Sequence, residues 1–229
     1  MVLGVLAMAA TTPHWGASQA SLLLTGNAAR FRALLLHDWA PTGAALKDIA
    51  GFPMLRANLL LDSLLVVPAY CGLLVFVTLA LGPAANRYPS LRQWLCVPAV
   101  AAGLFDIAEN GMTGHALDEL MHARLVDESV ADITLASRLK WALLAVALVV
   151  VVWRAWRWRR GPGIRSALAP LACALAAAAF GVAAWFSLAQ AVSIGLVAAL
   201  VGVGTLVRSM ATQRSATPPR AEFGARSHE

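Results

Sequence analysis

Leu104-Phe105-Asp106-Ile107-Ala108-Glu109-Asn110-Gly111 closes an otherwise apolar segment, and its reading decides the fold. Asp106, Glu109 and Asn110 stand at i, i+3 and i+4, so on a helix they share one face. Two carboxylates and an amide inside a membrane-length segment are costly. Such residues need partners, and they mark functional sites by default.

The rest of the chain supplies the setting. Of its 229 residues, 59% are hydrophobic and 13% charged, with a mean hydropathy of +0.69. Soluble domains hold about 45–50% apolar and about 25% charged residues. The excess here sits in blocks of spanning length, which predicts an all-α, polytopic membrane bundle of four to five transmembrane helices. The net charge of +6 comes mostly from arginines flanking those blocks. That placement fits membrane orientation and argues against a nucleic-acid partner. Cys71, Cys96 and Cys173 all lie in apolar segments and read as small core residues, with no disulfide framework.

Three regions are expected: an extracytoplasmic or interfacial segment over 1–54, a transmembrane bundle over 55–207, and a disordered cytoplasmic tail over 208–229. Residues 1–10, MVLGVLAMAA, are too short to span and carry no Lys or Arg. They read equally as a signal, a truncated helix or a misplaced start. Asn27 to Trp39 places Phe31, Leu34, Leu35 and Trp39 on one side, among Arg30, Arg32 and His37, which predicts a short amphipathic helix. Pro41, Gly43, Gly51 and Pro53 punctuate the connection to the first span.

The spans are expected at about Leu55–Leu81, Leu91–Thr113 and Thr134–Trp153, with Pro68 kinking the first near its middle. The apolar run from about Ser166 to Val207 is too long for one helix of about 20 residues, so it is read as two, folded back near Ser187–Gln190. Pro170 suits a first helical turn. Gly195, Gly202 and Gly204, with the run Ala176–Ala179, read as small-residue helix packing.

The stretch holding Arg154, Arg157, Arg159, Arg160 and Arg165 belongs in the cytoplasm by the positive-inside rule. Threading outward puts Arg87 and Arg92 inside, the acidic loop Gly114–Ile133 outside and the C-terminus inside. A bacterial inner membrane is the expected location. Trp94, Trp153, Trp156 and Trp158 would line the cytoplasmic interface, with Trp185 opposite.

This topology gathers scattered polar residues into one layer. Asp62 lies roughly 10 Å below the outer end of its helix, Asp106 and Glu109 roughly 6–10 Å below theirs, and Lys140 roughly 9 Å below its own. Tyr70 falls about 80° round the helix from Asp62, placed to close the floor of a pocket. Two readings compete. One is a structural ion network, with Lys140 neutralising a carboxylate. The other is an outer-leaflet pocket for a lipid-like or small polar ligand. There Asp106 or Glu109 would serve as general acid/base in an enzyme on a lipid-linked substrate, and Lys140 would orient an anionic head group. The ligand-binding set is Asp62, Tyr70, Asp106, Glu109, Asn110 and Lys140.

Other chemistry has thinner support. His115 and His122, seven apart with Asp118 and Glu119 between them, are weak metal candidates, since the spacing is not His-x-x-x-His. There is no Gly-x-Ser-x-Gly, His-Glu-x-x-His, Walker loop or dinucleotide Gly-x-Gly-x-x-Gly, and the cofactor is left unknown. Membrane lipids are the expected partners, with a homo-oligomer or a larger membrane complex beyond them. Transport by one chain would call for two structural repeats, and this sequence shows none.

Leu61-Asp62-Ser63-Leu64-Leu65-Val66-Val67-Pro68-Ala69-Tyr70, then Asp106-Ile107-Ala108-Glu109-Asn110 and Ser137-Arg138-Leu139-Lys140, resemble segments of small bacterial inner-membrane proteins of uncharacterised function. Those proteins are similar in having an Asp…Tyr helix, an Asp-x-x-Glu-Asn helix and a Lys-bearing helix. The resemblance covers roughly residues 20–150. It implies four or five spans and the same six polar residues as one set, and no activity.

Overall fold

Asn27 begins the first helix by accepting a hydrogen bond from the Arg30 N–H at 3.0 Å, as a side-chain cap should. The computed structural model describes residues 21–39, 52–81, 93–159, 167–186 and 188–216. In chain order the helices are α1 (Ala28–Trp39), α2 (Phe52–Leu61), a π-helical turn (Asp62–Val66), α3 (Val67–Ala80), α4 (Val97–Met121), α5 (Asp127–Arg159), α6 (Leu168–Phe186) and α7 (Ala189–Ala216). No strand occurs among the described residues, and the fold is an all-α bundle. The expectations for residues 1–10, Pro41, Gly43, Gly51, Arg87, Arg92, Arg160, Arg165 and the tail past Ala216 fall outside the described residues. So do those for the side chains of Trp39, Trp158 and Arg159.

Among the described residues four stretches are long and apolar enough to cross a membrane: Leu55–Ala80, Asp127–Arg157, Leu168–Phe186 and Gln190–Thr212. They present exposed apolar side chains such as Leu64, Val149, Leu171, Val197 and Leu200, as a lipid-facing surface requires. This is the build of a multi-pass membrane protein. The long final run does fold into two helices, α6 and α7. Helix α4, expected as a further span, is not among the four, because Asp106, Glu109 and Asn110 dilute its apolar character.

Helix α4 packs against α2, the π-turn and α3 on one side and against α5 on the other. Helix α5 continues the contact to α6, and α6 to α7. Two apolar cores result. One joins α1, the start of α2, the end of α4 and the start of α5 through Phe31, Leu35, Leu55, Leu59, Leu117, Leu120, Val130 and Ile133. The other runs through α3, the start of α4, α5, α6 and α7, with Leu74, Val77, Ala102, Leu148, Phe180 and Leu206. The polar residues of α4 lie between the two in sequence, and they form a layer that separates them.

Several boundaries differ from expectation. The region 114–133 is not a loop: α4 runs to Met121 and α5 starts at Asp127. Ala116, Leu117, Leu120, Val130 and Ile133 recur at helical spacing and bury in the first core, while Asp118, Arg124, Asp127, Glu128 and Asp132 face out. Helix α7 likewise continues past Val207 to Ala216. Arg154 belongs to α5 and is buried, its Nε donating to the Leu81 carbonyl at 2.6 Å where α3 ends. An arginine thus satisfies a carbonyl that the helix end leaves free.

Between α6 and α7 the small residues do allow close approach. A Cβ on Gly195 would stand 2.5 Å from the Phe180 ring, and one on Gly202 would stand 2.8 Å from the Cys173 backbone nitrogen. Gly204 faces open space, so its expected packing role is not met. Gly103 was not singled out, yet a Cβ there would collide with Cys71 and hold α3 and α4 apart.

Candidate functional site

The site starts from a break in helical geometry. Pro68 has no N–H to donate, and the chain responds one turn earlier: the Val67 N–H bonds to the Asp62 carbonyl, five residues back. In a continuous α-helix Asp62 and Tyr70 would lie about 80° apart. One extra residue in the wide turn removes about 100° of that, leaving them about 20° apart and facing α4 together.

The opposing face of α4 meets both. The Tyr70 hydroxyl donates to Asp106 Oδ2 at 2.8 Å. Asn110 Nδ2 donates to Asp62 Oδ2 at 2.8 Å and to Ser63 Oγ at 3.0 Å. From the other side α5 inserts Lys140, whose Nζ donates to Asp106 Oδ1 at 2.9 Å and to Glu109 Oε1 at 2.8 Å. The structure therefore brings all six sequence-derived residues into one layer carried by three segments of the chain, as two hydrogen-bonded groups: Asp62 with Asn110 and Ser63, and Tyr70, Asp106, Lys140 and Glu109 together.

The layer is deeper than the sequence implied. Counting along each helix, Asp62 is about 15 Å from Phe52, Glu109 about 18 Å from Met121 and Lys140 about 20 Å from Asp127. The cause is the extension of α4 and α5 through the supposed loop. Lys140 is 4% exposed, Asp106 6% and Glu109 0%, whereas Asp62 and Tyr70 are half-buried.

The engagement of the three carboxylates is unequal. Asp106 has both oxygens engaged, one on Lys140 and the other on Tyr70. Glu109 Oε2 lies 2.8 Å from the Lys140 ammonium but has no hydrogen-bond geometry, and it is buried without a hydrogen-bond partner. The Ser137 hydroxyl, fully buried one turn before Lys140, is a side-chain partner of Glu109 at a geometry looser than that of a regular hydrogen bond. Asp62 uses Oδ2 on Asn110. If every group is ionised, three carboxylates face one ammonium.

Ser63, Ser137 and Trp141 belong to this neighbourhood and were not chosen from the sequence. The Lys140 ammonium stands 4.6 Å from the centre of the Trp141 ring, which in turn stacks on Phe180 at 5.1 Å. Ser137 and Lys140 share a face at i, i+3, a signal that spacing alone offered. Ser63 offered none, because the π-turn breaks the period that would place it.

No protein-family model, curated protein or solved structure matches this chain.

The histidines lie apart from this layer, near the end of α4. His115 Nε2 approaches Glu119 Oε1 at 3.5 Å, and His122 Nδ1 is 2.8 Å from the Asp118 carbonyl oxygen. Asp118 pairs with Arg56 of α2. Among the described residues no group of three or more His, Cys, Asp or Glu side chains is arranged to hold a metal ion. An apolar groove of about 540 Å³ between α6 and α7, lined by Leu175, Ile194, Val197 and Val201 among others, contains no charged residue. It fits the lipid-facing surface rather than chemistry.

Proposed function

We propose that this protein is a multi-pass inner-membrane protein, C-terminus cytoplasmic, whose polar layer forms an outer-leaflet pocket for a lipid-like or small polar ligand. The observation that carries the reading is the gradient of engagement across the network. A half-buried carboxylate, Asp62, is joined through Asn110 to α4, while fully buried Glu109 turns both oxygens to Lys140 at 2.8 Å. Of the three carboxylates Asp62 is the accessible one, so a ligand entering the layer meets it first. The arginines of the 154–165 stretch support the orientation.

The test is native mass spectrometry of the chain released from lipid nanodiscs. A retained small molecule or lipid, lost on Asp62→Asn with the protein still folded, would support the pocket. Release of bare protein under all conditions would refute it.

A second reading, a non-catalytic subunit of a membrane complex, draws on the engagement of both Asp106 oxygens, which leaves that residue as a register pin between helices. An enzyme on a lipid-linked substrate is less well supported. Asp106 as general acid/base would have to give up one of two hydrogen bonds, and both oxygens of Glu109 stand 2.8 Å from the Lys140 ammonium.

A further inference from the structure

We infer that α1 is a lid, which leaves its seat on the bundle for an anionic membrane surface and so opens the polar layer to water on the α1 side. This rests on the pocket reading above and names how the pocket is reached. The pairs already described set the levels of α2, α4 and α5 against one another. Asn110 meets Asp62 and Ser63, while Asp106 and Glu109 meet Lys140. One turn towards α1, the same count brings Asn58, Thr113 and Thr134 to one level. All three are buried, as is Ser137 below them. Asn58 and Asp62 stand at i, i+4, Thr113 follows Glu109 and Asn110 by one turn, and Thr134, Ser137 and Lys140 are spaced by three. Three polar stripes therefore run from the layer towards the seat of α1. Beyond Thr134 they stop at an apolar plug, in which Phe31 and Leu35 of α1 join Leu55, Leu117 and Val130.

Two backbone bonds fasten the start of α1. The Gly26 N–H donates to Thr134 Oγ1 at 3.0 Å, and the Ala28 N–H donates to Asp127 Oδ1 at 2.7 Å in an exposed position. Thr134 is thus both the top of the polar stripes and part of the seat of the lid. The level of the bilayer supplies a second seat. Trp141 of α5 stacks on Phe180 of α6, and counting outward from that pair puts Phe186, where α6 ends, level with Leu135. Trp185 and Phe186 are exposed there, as aromatic residues are at a membrane interface. Helix α5 continues about 12 Å past that level to Asp127, and α1 is fastened to this projection, beside the head groups. An apolar face of Phe31 and Leu35 flanked by exposed Arg30 and Arg32 is what an interfacial helix offers to an anionic surface. That face fills the plug or enters the membrane, and it cannot do both.

The experiment uses the full chain carrying Thr113→Cys, in nanodiscs of phosphatidylcholine alone or with phosphatidylglycerol added. A charged, membrane-impermeant methanethiosulfonate reports access from water, read by mass spectrometry. The unsubstituted chain, with Cys71, Cys96 and Cys173, gives the background. Phosphatidylglycerol should speed labelling of the introduced thiol, and Arg30→Gln with Arg32→Gln should abolish that response. Asp127→Ala removes an exposed acceptor from the lid and should speed labelling about two- to tenfold, whereas Asp127→Asn keeps the oxygen and should not. Melting temperatures near the parent's distinguish a moved lid from an unfolded chain. Labelling at background in every disc and variant, or labelling indifferent to phosphatidylglycerol and to both arginines, overturns the inference. A ligand retained through Asp62 beside background labelling overturns the lid and leaves the pocket. Labelling that follows the expected pattern with no ligand retained in any disc overturns the pocket and leaves the lid.

Discussion

Lys140 Nζ stands 2.9 Å from Asp106 Oδ1, and both side chains are more than nine-tenths buried. Breaking such a pair by removing one partner leaves an uncompensated charge and costs about 3–5 kcal/mol. Lys140→Met should therefore destabilise the protein severely, and Asp106→Asn somewhat less. The double variant should recover part of the loss, with a coupling energy above about 1 kcal/mol in a double-mutant cycle read by chemical unfolding in detergent micelles. Strict additivity would mean that the pair does not act directly.

Tyr70→Phe removes the donor to Asp106 Oδ2 and keeps the ring. The expected cost is about 1 kcal/mol, small because hydrogen bonds between membrane helices are modest on average. The same substitution made on the Lys140→Met background should change stability by a different amount, since both groups bond the one carboxylate.

Gly202 and Gly204 separate packing from composition. Gly202→Ala drives a methyl onto the Cys173 nitrogen and the Ala169 carbonyl, backbone atoms that cannot swing aside. It should lower stability by about 1–3 kcal/mol. Gly204→Ala meets open space and should be neutral or slightly stabilising through helix propensity. Melting curves of the two variants in the same detergent make the comparison.

Arg56 beside Asp118 holds that carboxyl below the usual carboxylate range. A depressed folded-state value means the contribution is present above the unfolded carboxylate value and fades as pH falls through the folded one. The pair is exposed, so the effect is small. The melting temperature of the parent should exceed that of Asp118→Asn by a little at neutral pH, and the gap should close on acidification. A gap that widens in acid would contradict the assignment.

The acidic face of α4 was legible because its residues keep the α-helical period, and Lys140 because counting along a second helix placed it at a comparable level. The hairpin of α6 and α7 followed from the length of the apolar run alone. What stayed hidden depends on context that a one-dimensional pattern lacks. Dense charge over 114–133 masked the helical spacing of Ala116, Leu117, Leu120, Val130 and Ile133. Three glycines in α7 looked alike until α6 showed which of them it touches. Tyr70 was assigned to the right set with the wrong bearing, since nothing in the composition announced that Pro68 would be relieved by a wide turn rather than a kink.

That wide turn turns chain length into a marker of the site. A protein that keeps these six polar residues but lacks one residue between Asp62 and Tyr70 would hold the same facing on a continuous α-helix, whereas one of equal length without the wide turn would swing its tyrosine about 100° away from Asp106. Distant kin of this chain are thus better sought by an aspartate and a tyrosine either seven apart on a plain helix or eight apart across a wide turn than by overall sequence score.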